Sequence, residues 1–334
     1  MAGKDNPEVG VAIPVFNDEK VLADAVASVQ AQTLSDWEIV IVDDGSTDGT
    51  AKLADELAAS DSRIRVIHQE NQGSYMARTN GMLASTAEYL TALDADDTIA
   101  PEMFEAMLDL AKRENLDLIE CDLSIATGDD GCIDVLKSQE EVQKYYIDPV
   151  YLRGEGFLCV CGKLYRRRLL FEEGRHESII KQRVTLFDDA LFNTQILYAV
   201  GSYGRIHKPF YRYRITSGSS VRNFNPSVLP GFETAVRVRR EFAPRYGIAP
   251  DDWRLIRWIA INALNLVALA ASAPQDSWRT NVAHVREVLA LSCVQETAVM
   301  RKKGLKQLEL ALLNYIPACL IVALAKAKKS LKRK

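Results

Sequence analysis

The sequence contains few residues of the kinds that form disulfide frameworks or zinc clips. Its 334 residues include six cysteines and four histidines. Cys159 and Cys161 are separated by one residue, which is too close for a Cys-x-x-Cys clip, and the other cysteines are scattered along the chain. Neither a disulfide scaffold nor a zinc knuckle is indicated, and we expect reduced thiols.

The sequence also lacks an apolar leader and any apolar run that would cross a membrane comfortably. The first ten residues contain no apolar core of a secretory signal, so we expect the protein to stay in the cytoplasm. Residues 258–275 carry no charge, but Asn262, Asn265 and Pro274 lie within them. This pattern favours a buried helix over a membrane span.

No charge sign dominates the chain as a whole. The 41 Lys and Arg residues against 45 Asp and Glu residues leave a net charge of −4, which gives no reason to expect nucleic acid as a partner. A hydrophobic content of 48% excludes a disordered or collagen-like chain, and the length suggests about two domains. The basic residues concentrate at the C-terminus, where residues 301–334 hold ten of them and one acid.

This basic C-terminus is a candidate for contact with the inner face of the cell membrane. Residues 310–325 are uncharged for 16 residues, about 24 Å of helix, and Asn314 and Pro317 interrupt them. Since the hydrocarbon core is roughly 30 Å thick, this stretch is too short to span it comfortably. Six of the last nine residues are basic, which suits anionic lipid. The alternative is a core helix followed by a solvated tail.

The first 120 residues alternate short apolar, β-rich runs with amphipathic stretches. This alternation predicts an α/β fold with a mainly parallel sheet flanked by helices. The predicted helices include one that begins at Pro101, a residue suited to a first helical position. The predicted strands cover residues 9–15, 38–42, 64–68, 89–93 and 116–121, and the predicted helices cover residues 19–32, 50–59, 74–85 and 101–113.

The pattern changes twice further along the chain. From residue 121 to about residue 225 it is less regular, with a turn predicted at residues 128–131 and a helix at residues 184–200. After Pro226 and Pro230 the chain becomes almost wholly helical in character. We therefore expect one domain over residues 1–225 and a helical C-terminal region with a basic tail over residues 226–334.

Polar or acidic residues follow three of the predicted strands. Ligands bind beyond the carboxyl ends of the strands in open parallel sheets, so these segments are expected to share one rim. The segments are Pro14-Val15-Phe16-Asn17, Asp43-Asp44-Gly45-Ser46-Thr47-Asp48-Gly49-Thr50 and Asp94-Ala95-Asp96-Asp97.

Each acidic segment alone also has a purely structural explanation. Asp48 could cap the next helix, and Asp96 and Asp97 could introduce the helix at Pro101. Two carboxylate clusters on one sheet edge repel each other, however, unless a cation or donor groups lie between them. Oxygen ligands select hard cations such as Mg²⁺ or Mn²⁺, which also bind phosphate oxygens, so a nucleotide diphosphate fits the pattern.

The phosphate-binding loops of two large nucleotide-binding classes are missing. The sequence has neither GxxxxGK[ST] nor GxGxxG, which argues against a P-loop NTPase and a dinucleotide dehydrogenase. The remaining possibility is a site in which a metal ion holds the pyrophosphate and an acid on a neighbouring strand binds the base.

Four motifs, in the family's order and spacing, resemble those of the family 2 glycosyltransferases, which are inverting enzymes of GT-A fold. The resemblance covers roughly residues 9–215. It implies a GT-A domain over residues 1–225, with a nucleotide-binding half (1–120) and an acceptor half (121–225), followed by a helical appendage. The motifs are Val11-Ala12-Ile13-Pro14-Val15-Phe16-Asn17, Asp43 to Thr50, Asn71-Gln72-Gly73 with Ala77-Arg78, and Asp94 to Asp97.

The resemblance implies a nucleotide-sugar donor, usually a UDP sugar, and assigns roles by position. Phe16 would lie against the base, Asp96 would approach the ribose and Asp97 would ligate Mn²⁺ or Mg²⁺. Asp44 would accept the ring N–H of uracil, which cytosine lacks; guanine has one too, so guanosine donors stay open. The implied donor-binding residues are Pro14, Phe16, Asn17, Asp43, Asp44, Arg78, Asp94 and Asp96.

The chain departs from the family at Thr79, where the pattern usually has Asn directly after the Arg, while Gly81 matches. Arg78 suits a phosphate or a carboxylate of the acidic rim, and a structural salt bridge is an equal alternative.

Two later segments look like acceptor-side motifs of bacterial polysaccharide-building members. They are Cys161-Gly162-Lys163-Leu164-Tyr165-Arg166-Arg167 and Phe187-Asp188-Asp189-Ala190-Leu191-Phe192. By position Asp189 would be the catalytic base, and many relatives have Glu where this chain has Asp188. The structural alternative is a pair of carboxylates in the first turn of a helix. Residues 211–214 with residues 217–220 are candidates for a basic lid over the diphosphate or for a solvated strand edge.

The four histidines are isolated in the sequence, as expected of ordinary surface or core residues. His207 could complete a metal shell if the chain folds back, but it stays outside the catalytic set.

The expected function is inverting transfer of a sugar from a nucleotide diphosphate to a hydroxyl of a glycan or lipid-linked acceptor, in cell-surface polysaccharide synthesis. The leaving diphosphate needs no proton, so one carboxylate base suffices. The alternatives are a sugar-nucleotide nucleotidyltransferase and a catalytically inactive nucleotide-binding scaffold. The first lacks its expected Gly-rich loop in residues 9–17, and the retained Asp97 and Asp189 argue against the second.

Overall fold

A computed structural model describes residues 6–124, 133–138, 141, 159–184, 187–214, 224–249, 252–272 and 278–294. The basic C-terminus, the turn predicted at residues 128–131 and the serine-rich residues 217–220 lie outside these ranges. Within the described part, no helix combines the length and the apolar character that crossing a bilayer requires.

The backbone groups into two compact units. The first unit comprises Met1–Ile147, Phe157–Val184 and Asp188–Thr216, and the second comprises Asp148–Gly156, Thr185–Phe187 and Ser217–Lys334. The domain boundary predicted at residue 225 stays a prediction.

The described residues of the first unit form one nine-stranded mixed sheet. Its order is β3-β2-β1-β4-β8-β6-β9-β5, and β7 pairs with β9 outside that path. The strands are β1 (Val9–Val15), β2 (Trp37–Asp43), β3 (Ile64–His68), β4 (Tyr89–Ala92), β5 (Thr98–Ile99), β6 (Leu118–Leu123), β7 (Ile133–Leu136), β8 (Lys163–Arg166) and β9 (Tyr203–Arg212).

The first four strands build the parallel half of the sheet. β1 pairs in parallel with β2 and with β4, and β2 pairs in parallel with β3. Because β2 and β3 lie on one side of β1 and β4 on the other, the strand order switches at β1. The crevice beyond the carboxyl ends of β1 and β4 is the place where such sheets bind ligands.

The second half of the sheet is mixed. β8 is antiparallel to both β4 and β6, and β9 is parallel to β6 but antiparallel to β5 and β7. The isolated bridge between Ala92 and Cys161 brings the start of β8 to the carboxyl end of β4. The later segments therefore also reach the rim.

Five helices of at least nine residues belong to the described part of the first unit: α1 (Leu22–Gln30), α2 (Thr50–Ser60), α3 (Ser74–Ala84), α4 (Met103–Glu114) and α5 (Asp188–Ile196). Short helices cover Arg168–Phe171 and Arg175–Ser178, and 3-10 turns cover Glu172–Gly174 and Leu197–Ala199. α4 begins at Met103 rather than at Pro101, because the Pro101 carbonyl instead accepts a hydrogen bond from the Thr33 N–H, 2.8 Å away.

The described part of the second unit is helical, as predicted. Its helices are α6 (Leu229–Phe242), α7 (Trp253–Ser272) and α8 (Trp278–Ala290), with 3-10 turns at Pro226–Val228 and Ala243–Tyr246. Residues 258–272 of the uncharged stretch predicted as a buried helix lie in α7, where Ile259 and Leu266 are buried. The Asn262 side chain donates to the Trp258 carbonyl one turn earlier, so the helix backbone satisfies this polar group.

Helix α3 packs against β1 and β2 without room for a side chain at Gly81. A Cβ atom there would lie 2.8 Å from the Ala12 Cβ and 3.1 Å from a Val42 methyl carbon. The close approach fixes α3 over the carboxyl half of the parallel strands.

We expect Gly81→Val to lower the free energy of unfolding by about 1 to 3 kcal/mol, because the new side chain overpacks the contact with Ala12. Urea titration measures the loss. Lys52→Val is the control, since it places the same β-branched side chain at a position in α2 that is 84% exposed, and it should cost a few tenths of a kcal/mol. Equal losses in the two variants would contradict this packing.

His68 ends β3 and bridges two carboxylates, although it is isolated in the sequence. Its Nδ1 lies 2.9 Å from Asp43 Oδ2, and its Nε2 lies 3.1 Å from Asp55 Oδ1 in α2. Hydrogen bonds to Asp43 and then to Asp55 raise the pKa of His68. The protonated ring therefore ties the end of β2 to α2.

His68→Asn should destabilise the protein more at about pH 5.5 than at about pH 8.5. A raised pKa in the folded state means that the charged ring stabilises the fold below the unfolded pKa, and this contribution is lost as the pH rises through the folded pKa. The ring is 47% exposed, so the difference should be about 1 kcal/mol or less. Melting curves of the wild type and His68→Asn at both pH values test this. The same stability difference between the two proteins at both pH values would count against the bridge.

Candidate active site

The loop after β1 forms one wall of the crevice. Phe16 is 46% exposed, whereas Pro14 is buried within β1 and pairs with Val42. Asn17 has a left-handed backbone with φ of 59°, and its Oδ1 accepts a 2.8 Å hydrogen bond from the Thr47 N–H. Asn17 therefore joins the β1 loop to the β2 loop, while the apolar ring of Phe16 is exposed.

Asp43 at the end of β2 is buried and engaged within the fold. Its Oδ1 accepts from the Ser46 N–H at 3.0 Å, and its Oδ2 lies against His68. Burial opposes the effect, but the hydrogen bonds from Ser46 and His68 lower the pKa of Asp43. In this arrangement Asp43 holds the loop of the second motif in place.

Asp44 is a fixed hydrogen-bond acceptor at the rim. Its Oδ1 accepts from the Gln69 side chain at 2.7 Å and from the Gln72 N–H at 2.8 Å, and its Oδ2 accepts from the Gly73 N–H at 2.7 Å. Gly73 has φ of 88° and immediately precedes α3. Since a carboxylate oxygen has two lone pairs, Oδ2 retains one for a further donor.

Asp97 follows β4 and is held by two neutral donors. The Tyr211 hydroxyl donates to Oδ2 at 2.8 Å, and the Arg214 N–H donates to Oδ1 at 2.7 Å. Burial, together with the nearby Asp94 and Asp96, raises the pKa of Asp97 to about 6 against the effect of those hydrogen bonds. Asp97 therefore does not introduce α4, whose N-cap residue is Glu102.

Asp94, Asp97 and Cys161 can each offer one ligand atom, and the three atoms lie within 4.8 Å of one another. The Cys161 thiol donates to Asp94 Oδ2 at 3.6 Å. Two carboxylates with lone pairs to spare fit a hard divalent cation. His207 does not belong to this group, since its Nδ1 lies 3.8 Å from Asp122 Oδ2.

Arg78 in α3 connects the acidic rim to the start of α5. Its guanidinium donates through NH1 to Asp188 at 3.0 Å and to Asp189 at 2.9 Å, and through NH2 to Asp94 at 2.9 Å. Burial alone would lower the pKa of Arg78, but the three carboxylates raise it well above its ordinary value. The sequence left open whether Arg78 binds a phosphate or carboxylates of the rim. In the structure it binds carboxylates of the rim.

Asp188 and Asp189 occupy the first turn of α5 and have different surroundings. Asp188 also accepts from the Ser74 hydroxyl at 3.1 Å, and its side chain is 22% exposed. The Asp189 side chain is 30% exposed. Burial raises the pKa of Asp189 to about 7 with the help of Asp188 and Asp94, although the charge of Arg78 opposes the rise. Asp189 can thus change protonation near neutral pH.

The structure brings further residues to the rim that the motifs did not single out. Asp18 accepts from the Phe16 N–H at 3.0 Å, and burial together with the nearby Asp96, Asp48 and Asp94 raises its pKa. The only sequence signal for Asp18 was an acid two residues after Phe16. Tyr211 lies in residues 211–214, which the sequence predicted as a basic lid or a strand edge, but its contact with Asp97 depends on the path of β9 and had no signal of its own.

Comparisons with known proteins agree with this layout. Residues 10–172 match the family described as glycosyl transferase family 2. Over 227 residues the chain is 31% identical to EpsH of Bacillus subtilis (strain 168), which is named as a glycosyltransferase. The match covers 66% of this chain and 64% of EpsH, so the chain spans less than two thirds of that relative.

Two solved structures share the fold. S. aureus TarS residues 1–349 in complex with UDP-GlcNAc has a TM-score of 0.62 and 16% identity, over 98% of this chain and 92% of that chain. The mannosyltransferase PcManGT from Pyrobaculum calidifontis, in complex with GDP-Man and Mn²⁺, has a TM-score of 0.50 and 15% identity, over 99% of this chain and 89% of that chain. The likeness confirms the predicted GT-A-like fold.

The motifs recognised in the sequence lie along one edge of a GT-A-like sheet, in the part of the chain that matches the family. Residues 10–172, which include these motifs, match family 2 of the glycosyltransferases, as the sequence predicted.

Proposed function

We propose that the protein is an inverting glycosyltransferase that moves a sugar from a nucleotide diphosphate donor to a hydroxyl of a glycan or lipid-linked acceptor. The process it serves is the synthesis of cell-surface polysaccharide. The observation that carries the proposal is the shared rim of Asp44, Asp97 and Asp189, which offers an acceptor for a base, a ligand for a cation and a carboxylate for a proton. The family match and the resemblance to EpsH support it.

The donor is a UDP sugar in this proposal. Asp44 is an acceptor without a proton to donate, and it keeps a lone pair for the ring N–H of uracil. Phe16 offers an exposed ring against which a base can stack. TarS is described with UDP-GlcNAc, which supports this choice. PcManGT is described with GDP-Man, so guanosine donors should be assayed as well.

The cation in this proposal is Mn²⁺ or Mg²⁺, and Asp97 is its principal protein ligand. When bound, a divalent cation at this position supplies charge that stabilises the departing diphosphate. Asp97 is prepared for it, because its partners, the Tyr211 hydroxyl and the Arg214 N–H, are neutral and leave its charge uncompensated. PcManGT is described with Mn²⁺, which supports the proposal.

Asp189 acts as the base in this mechanism. A sugar hydroxyl is a weak nucleophile at neutral pH, so a carboxylate within hydrogen-bond reach must take its proton as the bond to the anomeric carbon forms. Arg78 binds Oδ1 of Asp189, and the carboxylate keeps lone pairs that can accept the proton. The leaving diphosphate needs no proton, so the reaction requires no general acid. Asp189 is then the one acid–base group that it needs.

Two alternatives make different predictions. A sugar-nucleotide nucleotidyltransferase would release pyrophosphate from a nucleoside triphosphate, and a catalytically inactive scaffold would bind UDP without turnover. Assays of sugar transfer, donor hydrolysis and pyrophosphate release separate all three. Cytoplasmic localisation and contact of the basic C-terminus with an anionic membrane are further proposals, supported by the sequence alone.

We expect UDP to bind at least about tenfold more tightly with Mn²⁺ than with EDTA, a difference of about 1.4 kcal/mol, because Asp97 would hold a cation whose charge attracts the diphosphate. Asp97→Asn should abolish this dependence while keeping the acceptor for Tyr211. Asp109→Asn, at a position in α4 that is 69% exposed, is the control and should bind like the wild type. Calorimetry that gives the wild type equal UDP affinity in Mn²⁺ and in EDTA would refute metal dependence.

We expect Asp189→Asn to retain metal-dependent UDP binding and to lose about 10² to 10⁴-fold in transfer, because the acceptor hydroxyl loses its base. Asp188→Asn should mainly lower the melting temperature, since it weakens the contacts with Ser74 and Arg78. Initial rates with an acceptor found by screening, and UDP titrations, measure both. Near-normal transfer by Asp189→Asn would move the role to Asp188 or to an acid of residues 94–97.

A further inference from the structure

Arg78 cannot serve as a free cation for the donor diphosphate in this structure. The side chain is 4% exposed, and both hydrogens of NH1 are used, one for Asp188 and one for Asp189. NH2 uses one hydrogen for Asp94, and Nε has no hydrogen-bond partner among the described residues. The guanidinium nitrogens that have hydrogen-bond partners therefore all donate to protein carboxylates.

We propose that Arg78 is the positioning residue of the catalytic base, and that its guanidinium fixes Asp189 relative to the donor-side Asp94. This inference rests on the proposed function, in which Asp189 is the base. Asp94 and Asp189 are distant in sequence and lie on different elements, after β4 and at the start of α5. A planar guanidinium donates to both at 2.9 Å, so it sets their separation and orientation in a way that a single ammonium group cannot.

The electrostatic environment of Asp189 supports this role. Without Arg78, burial and the neighbouring acids would hold the carboxyl group in its neutral form, which cannot accept a proton. The charge of the guanidinium is the largest effect that opposes this. The titratable groups that face Asp189 are Arg78 in α3, Asp188 in α5, Asp94 after β4, Cys159 and Cys161 before β8, and Tyr165 in β8.

Helix α3 gives Arg78 a rigid support. Its start is fixed by the Gly73 N–H, which donates to Asp44, and its later turn is fixed by the contact of Gly81 with Ala12. Arg78 lies between these two points. The residue proposed to read the base of the donor and the residue proposed to hold the catalytic base are therefore connected through the same helix.

The test compares Arg78→Lys and Arg78→Met with the wild type. We expect kcat to fall about 10 to 100-fold in Arg78→Lys and further in Arg78→Met, while the Kd for UDP with Mn²⁺ stays within about threefold. We also expect the acidic limb of the pH profile of kcat to move to higher pH in Arg78→Met. A loss that appears mainly in the Kd for UDP would make Arg78 a donor ligand and overturn the inference.

Arg168→Met is the control for the loss of an arginine–carboxylate pair away from the rim; the Arg168 side chain itself is 46% exposed. Arg168 donates through two nitrogens, at 2.8 Å each, to Asp117, which is 1% exposed and lies before β6 at the sheet edge opposite the rim. The control should lower the melting temperature without changing kcat. An equal fall of kcat in Arg168→Met and Arg78→Lys would show a purely structural effect and overturn the inference.

A readout without turnover separates this inference from the proposed function. The protein is labelled with ¹³C at the aspartate carboxyl groups, and Asp189→Asn assigns the signal of Asp189. The titration midpoint of Asp189 should rise in Arg78→Met and stay near the wild-type value in Arg78→Lys. If the wild type transfers no sugar from any donor, the proposed function fails. The inference about Arg78 then fails only if the Asp189 midpoint is the same in Arg78→Met and the wild type.

Discussion

One buried guanidinium, that of Arg78, holds together the acidic edge of the sheet. Three carboxylates accept from it, two at the start of α5 and one after β4. Removing one partner of a buried ion pair typically costs 3 to 5 kcal/mol, because the other charge is left uncompensated. The placement of α5 against the rim therefore depends on Arg78, and so does the burial of Asp94 and Asp189.

Arg78 cannot compensate the whole edge. Asp97 lies outside its reach and is satisfied by the Tyr211 hydroxyl and a backbone N–H, neither of which carries a charge. The raised pKa of Asp97, about 6, expresses that deficit. In the proposed function, a divalent cation brought in with a diphosphate would supply a second positive charge near Asp97. Two positive charges with separate tasks, one built in and one bound, would then account for the layout of the acids.

The sequence predicted the parallel half of the fold well, because each of its strands is a local pattern. Val9–Val15 and Ile64–His68 have the predicted limits, and the strand-end rule placed Asp44 and Asp97 on one rim. Local patterns of this kind could not predict the contacts that complete the rim. Tyr211 reaches Asp97 only because β9 is parallel to β6, and His68 meets Asp43 only because β3 is the neighbour of β2. Pairings between distant segments carry no local signal.

In the proposed function, Asp44 and Asp189 give the same edge two different chemical tasks. Three donors fix the carboxylate of Asp44 and leave one lone pair, so its geometry is set before any ligand arrives. Such preorganisation favours recognition of one N–H at one position. Asp189 accepts from Arg78 through Oδ1 and from Cys159, and burial among other acids raises its pKa to about 7, so that it can gain a proton and release it at neutral pH. Rigid recognition at the start of α3 would thus follow from the donors that Asp44 receives, and reversible protonation at the start of α5 would follow from the burial of Asp189.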